Sequence, residues 1–177
     1  MTEGQKPTSK IVVLISGSGS NLQSIINACE ENNIDAQISA VISNKYNVKG
    51  LDRAAAANIP SIVIDHHAFD TRQAFDQYLA EVISGFTPDL IILAGFMRIL
   101  TEEFVNQFVG KLINIHPSLL PAYPGLNTHQ RAIEAGDRTA GATVHFVTPE
   151  LDGGPSILRA QVAVLENDTS DALAARV

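Results

Sequence analysis

The chain has 177 residues and a formal net charge of −7; 45% of its residues are hydrophobic and 18% are charged. This composition is typical of a folded globular domain and excludes an intrinsically disordered chain. The acidic balance argues against a nucleic-acid partner and against an anionic membrane, and no apolar run approaches the ~20 residues of a spanning helix. The single cysteine, Cys29, cannot form a disulfide within the chain, so we expect a reducing, cytoplasmic location.

Short apolar runs alternate with helical patterns along the chain. We predict a disordered tail over residues 1–9 and a single domain over 10–177. The apolar runs predict strands at 10–15, 36–43, 60–64, 90–93, 111–116 and 142–147. Helical spacing predicts helices at 21–32, 50–58 and 70–84, with Asp70 as the N-cap of the last one.

This order of elements indicates the fold class. Continuously apolar strands that alternate with helices predict an α/β fold with a Rossmann-like, doubly wound and mostly parallel sheet. We expect helices on both faces of this sheet and allow an antiparallel arrangement for the later strands. Ligands of such sheets bind beyond the carboxyl ends of the strands, so functional residues are expected there.

A glycine-containing turn, Gly17-Ser-Gly-Ser-Asn21, joins the first strand to the first helix. Glycine lets the backbone approach an anion closely, and the free N–H groups at a helix start point towards it. The dinucleotide fingerprint fails because Leu22 stands at its third glycine position. A single phosphate, such as one on a sugar, therefore fits this turn better than NAD or ATP. The same residues also fit a tight strand–helix turn that binds no ligand.

Two polar side chains project together from the end of the strand at 111–116. Because side chains alternate along a strand, Asn114 and His116 share one face, and Pro117 then ends regular pairing. Further along, Asp152 lies in a glycine-rich turn that can present its carboxylate. A carboxylate beside His116 would favour the charged imidazolium, which together with an amide could stabilise a developing oxyanion. A structural histidine followed by an ordinary turn is the competing interpretation.

The remaining histidines carry weaker signals. His66 and His67 lie in a polar loop and are expected to be solvated, whereas His129 begins a helix with no clear role. His145 lies inside the strand at 142–147, where a structural role is the first expectation and a position facing the site the second. No paired-cysteine or His-Glu-x-x-His spacing is present, so we predict no metal site.

Four motifs together resemble the glycinamide ribonucleotide transformylases (phosphoribosylglycinamide formyltransferases), a family of folate-dependent formyltransferases. The motifs are Ser16-Gly-Ser-Gly-Ser-Asn-Leu22, Leu93-Ala-Gly-Phe-Met-Arg-Ile-Leu100, Asn114-Ile-His-Pro-Ser-Leu-Leu-Pro121 and Leu151-Asp-Gly-Gly-Pro155. The resemblance implies an enzyme of de novo purine biosynthesis that uses 10-formyltetrahydrofolate as cosubstrate and needs no metal. In that reaction the formyl group passes directly to the amine of glycinamide ribonucleotide.

The resemblance also implies roles for individual residues. Catalysis would rest on Asn114, which holds the formyl oxygen, on His116 as proton donor, and on Asp152, which keeps His116 charged. The substrate phosphate would bind at Gly19, Ser20 and Asn21. The folate would be contacted by Arg72, Met97, Arg98, Ile99, Leu100 and Asn114.

Other expectations follow from the same resemblance. Partners would be small-molecule substrates, and the protein would be a monomer or a weak homodimer. Family members carry a further C-terminal helix, which we expect this chain to lack. Asn127 stands where some relatives have histidine, so we assign it no catalytic role.

Two alternatives remain open. The same chemistry could serve a formyltetrahydrofolate hydrolase or a formyltransferase acting on another amine, although a phosphate turn has no purpose with water as acceptor. The chain could also be a non-catalytic module that binds a phosphosugar or a folate.

Overall fold

The computed structural model describes residues 8–177, which form two compact units, one ending at Arg98 and the other spanning Ile99–Val177. The predicted tail at 1–7 lies outside the described residues. Residue 9 was also assigned to the tail, but the first strand begins at Ser9, because the backbone N–H of Ser9 donates to the carbonyl of Asp35. Within the described residues, no helix is both long enough and apolar enough to cross a bilayer.

The first unit is built from four parallel strands with helices between them. Its elements are β1 (Ser9–Ile15), α1 (Ser20–Glu30), β2 (Ala36–Ser43), α2 (Lys49–Ala56), β3 (Ser61–Val63), a short 3₁₀ turn (His66–Ala68), α3 (Arg72–Gly85) and β4 (Leu90–Leu93). The strands lie in the order β3-β2-β1-β4. Strand β1 is central, and its residues from Val12 to Ile15 are fully buried, as a parallel strand covered on both faces requires.

The second unit contains three antiparallel strands. Its elements are α4 (Glu102–Gln107), β5 (Leu112–His116), α5 (Thr128–Glu134), β6 (Thr139–Phe146), β7 (Ser156–Ala163) and α6 (Ser170–Arg176). Strand β6 pairs with β5 on one side and with β7 on the other. A small core of Ala132, Ala140 and Leu173 joins α5, β6 and α6.

The predicted fold class is confirmed. The strands are mostly parallel, and the later ones are antiparallel, as the sequence allowed. Strands β2 and β4 have the predicted bounds, while α4 and β7 had not been predicted. Strand β7 was not predicted although apolar and polar residues alternate over 158–162. Nearly all its residues are exposed, so it lacks the continuous apolar run that indicated the parallel strands.

One capping prediction was wrong. Helix α3 begins at Arg72, so the N-cap is Thr71 rather than Asp70. The hydroxyl oxygen of Thr71 accepts a hydrogen bond from the backbone N–H of Ala74 at 3.1 Å. Asp70 is one residue too early to reach the free N–H groups of the first turn.

Candidate active site

The predicted phosphate turn lies at the start of α1 in the first unit. Gly19 is the N-cap and adopts a left-handed conformation with φ of 69°. A Cβ atom at this position would lie 2.6 Å from the Cα of Gly50, so only glycine allows α2 to approach the turn this closely. Ser20 and Asn21 are the first two residues of the helix, where backbone N–H groups have no partner within the helix.

Helix α2 packs against this turn and donates hydrogen bonds to it. The backbone N–H of Gly50 donates to the carbonyl of Gly17 at 3.0 Å. The side chain of Arg53 donates through Nε to the carbonyl of Ser18 at 2.9 Å and through a terminal nitrogen to Gln23 at 3.0 Å. A guanidinium group beside free N–H groups makes the turn locally positive, which suits an anion. Sequence reasoning missed Arg53 because nothing in the spacing places α2 against this turn.

The predicted folate-contacting residues differ in exposure. Met97 and Ile99 have large apolar side chains and are exposed, at 64% and 59%. Leu100 is half-buried. Arg98 is half-buried, and its guanidinium carbon lies 4.9 Å from the centre of the Phe75 ring. Apolar side chains held in solvent next to a fixed cation are typical of a surface that a ligand covers.

Arg72 is the remaining predicted folate contact. It is exposed at the first position of α3. Its guanidinium is therefore accessible to an anionic part of a ligand.

In the second unit, Asn114 and His145 face each other across β5 and β6. The two residues are register partners, and their side-chain nitrogens Nδ2 and Nε2 lie 3.1 Å apart. His145 is almost fully buried, and its Nδ1 lies 2.9 Å from the carbonyl oxygen of Phe146. Since a carbonyl only accepts, Nδ1 carries the proton in this contact, and the unprotonated Nε2 accepts from the Asn114 amide. One N–H and the carbonyl of that amide remain for other partners.

His116 lies between two hydrogen-bond acceptors. Its Nδ1 is 3.5 Å from a carboxylate oxygen of Asp152, and its Nε2 is 2.9 Å from the carbonyl of Tyr123. The residue is 6% exposed, so water has little access to the ring. Only a doubly protonated imidazolium can donate towards both acceptors at once.

Asp152 lies beside both histidines. One carboxylate oxygen accepts the backbone N–H of Gly125 at 2.8 Å, and the other lies 3.8 Å from Nε2 of His145. Asp152 itself has a positive φ of 51°. The chain must be compact here, because a Cβ at Gly154 would lie 1.8 Å from the carbonyl oxygen of Phe146. Asp152 is thus held in a fixed position by the Gly-Gly turn.

This arrangement brings the three predicted catalytic residues together, and it adds His145. An imidazole, an amide and a carboxylate in one poorly hydrated cluster can donate to an oxygen that becomes negative and can move a proton. His145 belongs to the cluster through the register of β5 with β6, which a sequence does not specify. In the sequence, only the alternation of side chains along β6 indicated which face of the sheet His145 occupies.

One other predicted histidine environment needs correction. His66 is not solvated, because its side chain is only 16% exposed and its Nδ1 lies 3.0 Å from the carbonyl of Asn44. Asp65, His66 and His67 also offer ligand atoms within 4.8 Å of one another, although the contact with Asn44 already uses one ring nitrogen of His66. His67 is exposed, as predicted.

Two pockets lie in the second unit. One, of about 160 Å³, is lined by residues that include Ser118, Tyr123 and His129. The other, of about 290 Å³, is mostly apolar and lies against Val105 and Phe146. Asn114, His116 and Asp152 line neither pocket, so the chemistry predicted for these residues does not depend on either one.

Comparison with known proteins gives one consistent result. A family profile described as formyl transferase matches residues 9–177. Phosphoribosylglycinamide formyltransferase of Escherichia coli (strain K12) is 54% identical over 167 residues, which cover 94% of this chain and 79% of the bacterial protein. The human trifunctional purine biosynthetic protein adenosine-3 is 47% identical over 98% of this chain, a match that spans 17% of the human protein.

A solved structure agrees with these matches. The crystal structure of glycinamide ribonucleotide transformylase 1 from Symbiobacterium toebii superposes with a TM-score of 0.94 at 43% identity, covering 99% of this chain and 85% of that one. The resemblance drawn from the four sequence motifs is therefore confirmed.

Proposed function

Because the chain belongs to the formyl transferase family, we propose that it is the enzyme that transfers a formyl group from 10-formyltetrahydrofolate to the amine of glycinamide ribonucleotide. This reaction is a step of purine biosynthesis. The similarity to the E. coli enzyme, which extends over 94% of this chain, supports the substrate assignment. The match over residues 9–177 also supports treating both compact units as one formyltransferase domain.

The observation that carries the catalytic assignment is the contact of His116 with Asp152, together with Asn114 beside His145. The substrate amine forms a bond to the formyl carbon, and the bond from that carbon to N10 of the folate then breaks. N10 gains a proton, and the attacking amine loses one. Between these steps the formyl oxygen carries negative charge, which the Asn114 amide and the His116 imidazolium are suited to stabilise.

His116 needs a free donor for this role. In the structure its Nε2 points to the carbonyl of Tyr123 and its Nδ1 towards Asp152. Substrate must therefore replace one of these two acceptors before His116 can donate to the formyl oxygen. Asp152 is the better partner to retain, because a carboxylate stabilises the charged ring whereas a carbonyl only accepts from it.

The two substrates are assigned to different residues. The phosphate of the ribonucleotide binds at Gly19, Ser20 and Asn21, where free N–H groups and the nearby Arg53 favour an anion. The folate binds against the exposed Met97 side chain and Arg98, with the predicted contacts at Arg72, Ile99, Leu100 and Asn114.

Several broader properties belong to this proposal. The partners are small molecules rather than nucleic acids or membranes, no metal takes part, and the protein is a monomer or a weak homodimer. A reducing cytoplasm suits the single Cys29 thiol, which is unpaired.

A kinetic test separates this function from its alternatives. Purified protein is supplied with 10-formyltetrahydrofolate and either glycinamide ribonucleotide, another amine or water alone, and product formation is measured. We expect rapid turnover with glycinamide ribonucleotide only. Turnover with water would indicate a hydrolase, and tight binding of both ligands without turnover would indicate a binding module.

Variants of the cluster test the mechanism in the same assay. His116→Ala and Asp152→Asn should each lower kcat by roughly 10²-fold or more, the usual size of proton-transfer contributions. The matched control His67→Ala removes an exposed histidine and should leave kcat unchanged. Near-normal kcat in His116→Ala or in Asp152→Asn would remove that residue from the mechanism.

A further inference from the structure

A buried polar chain in the first unit connects the ends of three neighbouring strands. Ser16 follows β1, Asn44 follows β2, and Met97 lies in the irregular segment after β4. Strand β1 pairs in parallel with both β2 and β4, so these three positions meet at one edge of the sheet. Ser16 is 5% exposed and Asn44 is 1% exposed.

Ser16 holds the segment after β4 at two points. Its backbone N–H donates to the carbonyl of Gly95 at 3.1 Å, and its side-chain oxygen accepts from the backbone N–H of Met97 at 2.7 Å. Gly95 has a positive φ of 76°, so the chain turns sharply between these two contacts. The pair of hydrogen bonds fixes the direction in which the backbone leaves β4.

Asn44 in turn fixes the hydroxyl of Ser16. A serine hydroxyl has one proton, and here it is donated to the side-chain oxygen of Asn44 at 2.6 Å. The lone pairs of the Ser16 oxygen are thereby oriented to the Met97 N–H. The amide nitrogen of Asn44 lies 3.3 Å from Nδ1 of His66, but Nδ1 carries the proton that it directs to the backbone carbonyl of Asn44 at 3.0 Å. The connected hydrogen bonds are therefore those from Met97 to Ser16 and from Ser16 to Asn44, and such bonds strengthen one another in a buried setting.

From this chain we infer that Ser16 and Asn44 are positioning residues for the formyl-folate subsite. They act by fixing the backbone of Met97, a residue that is 64% exposed and precedes Arg98 in the chain. The inference rests on the proposed function, because that function makes Met97 and Arg98 folate contacts. Neither Ser16 nor Asn44 needs to touch the folate itself.

Ser16→Ala is the decisive variant, because it removes both the acceptor for Met97 and the donor to Asn44. We expect KM for 10-formyltetrahydrofolate to rise roughly tenfold, as the loss of a buried hydrogen bond predicts. KM for glycinamide ribonucleotide should change less than about twofold, although Ser16 lies near the phosphate turn, because the hydrogen bonds that the variant removes orient Met97 and not that turn.

Ser43→Ala is the matched control. Ser43 is a fully buried serine at the end of β2, and its hydroxyl is hydrogen-bonded to the backbone of Lys45. Both KM values should stay at the wild-type level in this variant.

Asn44→Ala gives a second test. The double variant Ser16→Ala/Asn44→Ala should raise KM for the folate no further than Ser16→Ala alone, because both residues act through the hydroxyl of Ser16.

A readout without catalysis completes the experiment. Hydrogen exchange of the Met97 amide, followed by NMR in the free protein, should become at least about tenfold faster in Ser16→Ala and unchanged in Ser43→Ala. Unchanged folate KM, or equal rises for both substrates, would overturn the positioning role while wild-type turnover upheld the proposed function. Failure of the wild-type protein to bind or use 10-formyltetrahydrofolate would overturn both.

Discussion

The imidazole of His145 has two partners that require different protonation at its two nitrogens. The carbonyl of Phe146 requires a proton on Nδ1, and the Asn114 amide requires a lone pair on Nε2. The neutral ring with the proton on Nδ1 satisfies both. His145 therefore orients Asn114 as long as it stays neutral, whereas His116 faces two acceptors and is suited to the charged form.

Replacing His145 by phenylalanine tests this orientation. The variant keeps an aromatic ring at this buried position but has no acceptor for the Asn114 amide, so the amide loses the contact that orients it for its proposed role at the formyl oxygen. We expect kcat to fall roughly tenfold, which corresponds to about 1.4 kcal/mol of lost transition-state stabilisation. Kinetics of His145→Phe, Asn114→Ala and the double variant should be non-additive; strictly additive losses would mean that the two residues act separately.

His129 gives a prediction on stability. Burial lowers the pKa of His129 below its ordinary value of 6.5, and its Nδ1 atom has no hydrogen-bond partner among the described residues. As the pH falls, the unfolded chain therefore binds a proton at His129 at a higher pH than the folded chain does. The stability contributed by neutral His129 is present above pH 6.5 and is lost as the pH falls from 6.5 through the lower folded-state pKa.

The free energy of unfolding should therefore fall less between pH 7.5 and pH 5.5 in His129→Asn than in the wild-type protein. Urea denaturation at the two pH values measures this difference. The exposed His67 serves as the control, and His67→Asn should keep the wild-type slope. An identical pH slope in wild-type protein and His129→Asn would contradict the assignment.

Sequence reasoning at the residue scale succeeded where a local rule applies. Strand alternation alone placed Asn114 and His116 on one face. It could not place Asp152 beside His116, because their contact depends on the path of the chain between them, and only the family resemblance supplied it. Arg53 was missed for the same reason, since it reaches its site through the packing of a second element. For His145 a position facing the site was only the second expectation, because its contact with Asn114 depends on the register of β5 with β6.

At the scale of elements, the start of α3 shows what a single side chain contributes. Thr71→Ala removes the hydroxyl oxygen that accepts from Ala74 and should lower the free energy of unfolding by about 1 kcal/mol. Asp70→Ala is the matched control on the neighbouring residue and should change it by less than about 0.5 kcal/mol. Chemical denaturation of both variants checks this order; a larger loss for Asp70→Ala would restore Asp70 as the cap.

The same scale explains which strands a sequence can reveal. Strands β1, β2 and β4 are continuous apolar runs because parallel strands are buried on both faces, and their predicted positions agree with the structure to within one residue. Strand β7 is exposed along nearly its whole length, so it has no such apolar run and only a short alternation over 158–162. A continuous apolar run indicates a strand that is buried on both faces, and a strand with little burial lacks this signal.

The whole molecule has a negative net charge, whereas the turn at the start of α1 is locally positive. A net charge of −7 cannot attract a phosphorylated substrate, so binding must depend on donors gathered at one place. The start of α1 gathers them, with free N–H groups, the side chains of Ser20 and Asn21, and Arg53 behind the turn. Composition therefore argues against polyanionic partners while saying nothing about this local site.

The double variant Ser20→Ala/Asn21→Ala tests whether this turn selects one of the two substrates. It keeps the backbone N–H groups and loses two side-chain donors, so the Kd for glycinamide ribonucleotide should rise roughly tenfold. The Kd for 10-formyltetrahydrofolate should change less than about twofold, because the folate is assigned to other residues. Ser24→Ala, one turn further along α1 at an exposed position, is the matched control and should alter neither value. Calorimetric titration of each ligand measures both constants, and equal weakening of the two would place the phosphate elsewhere.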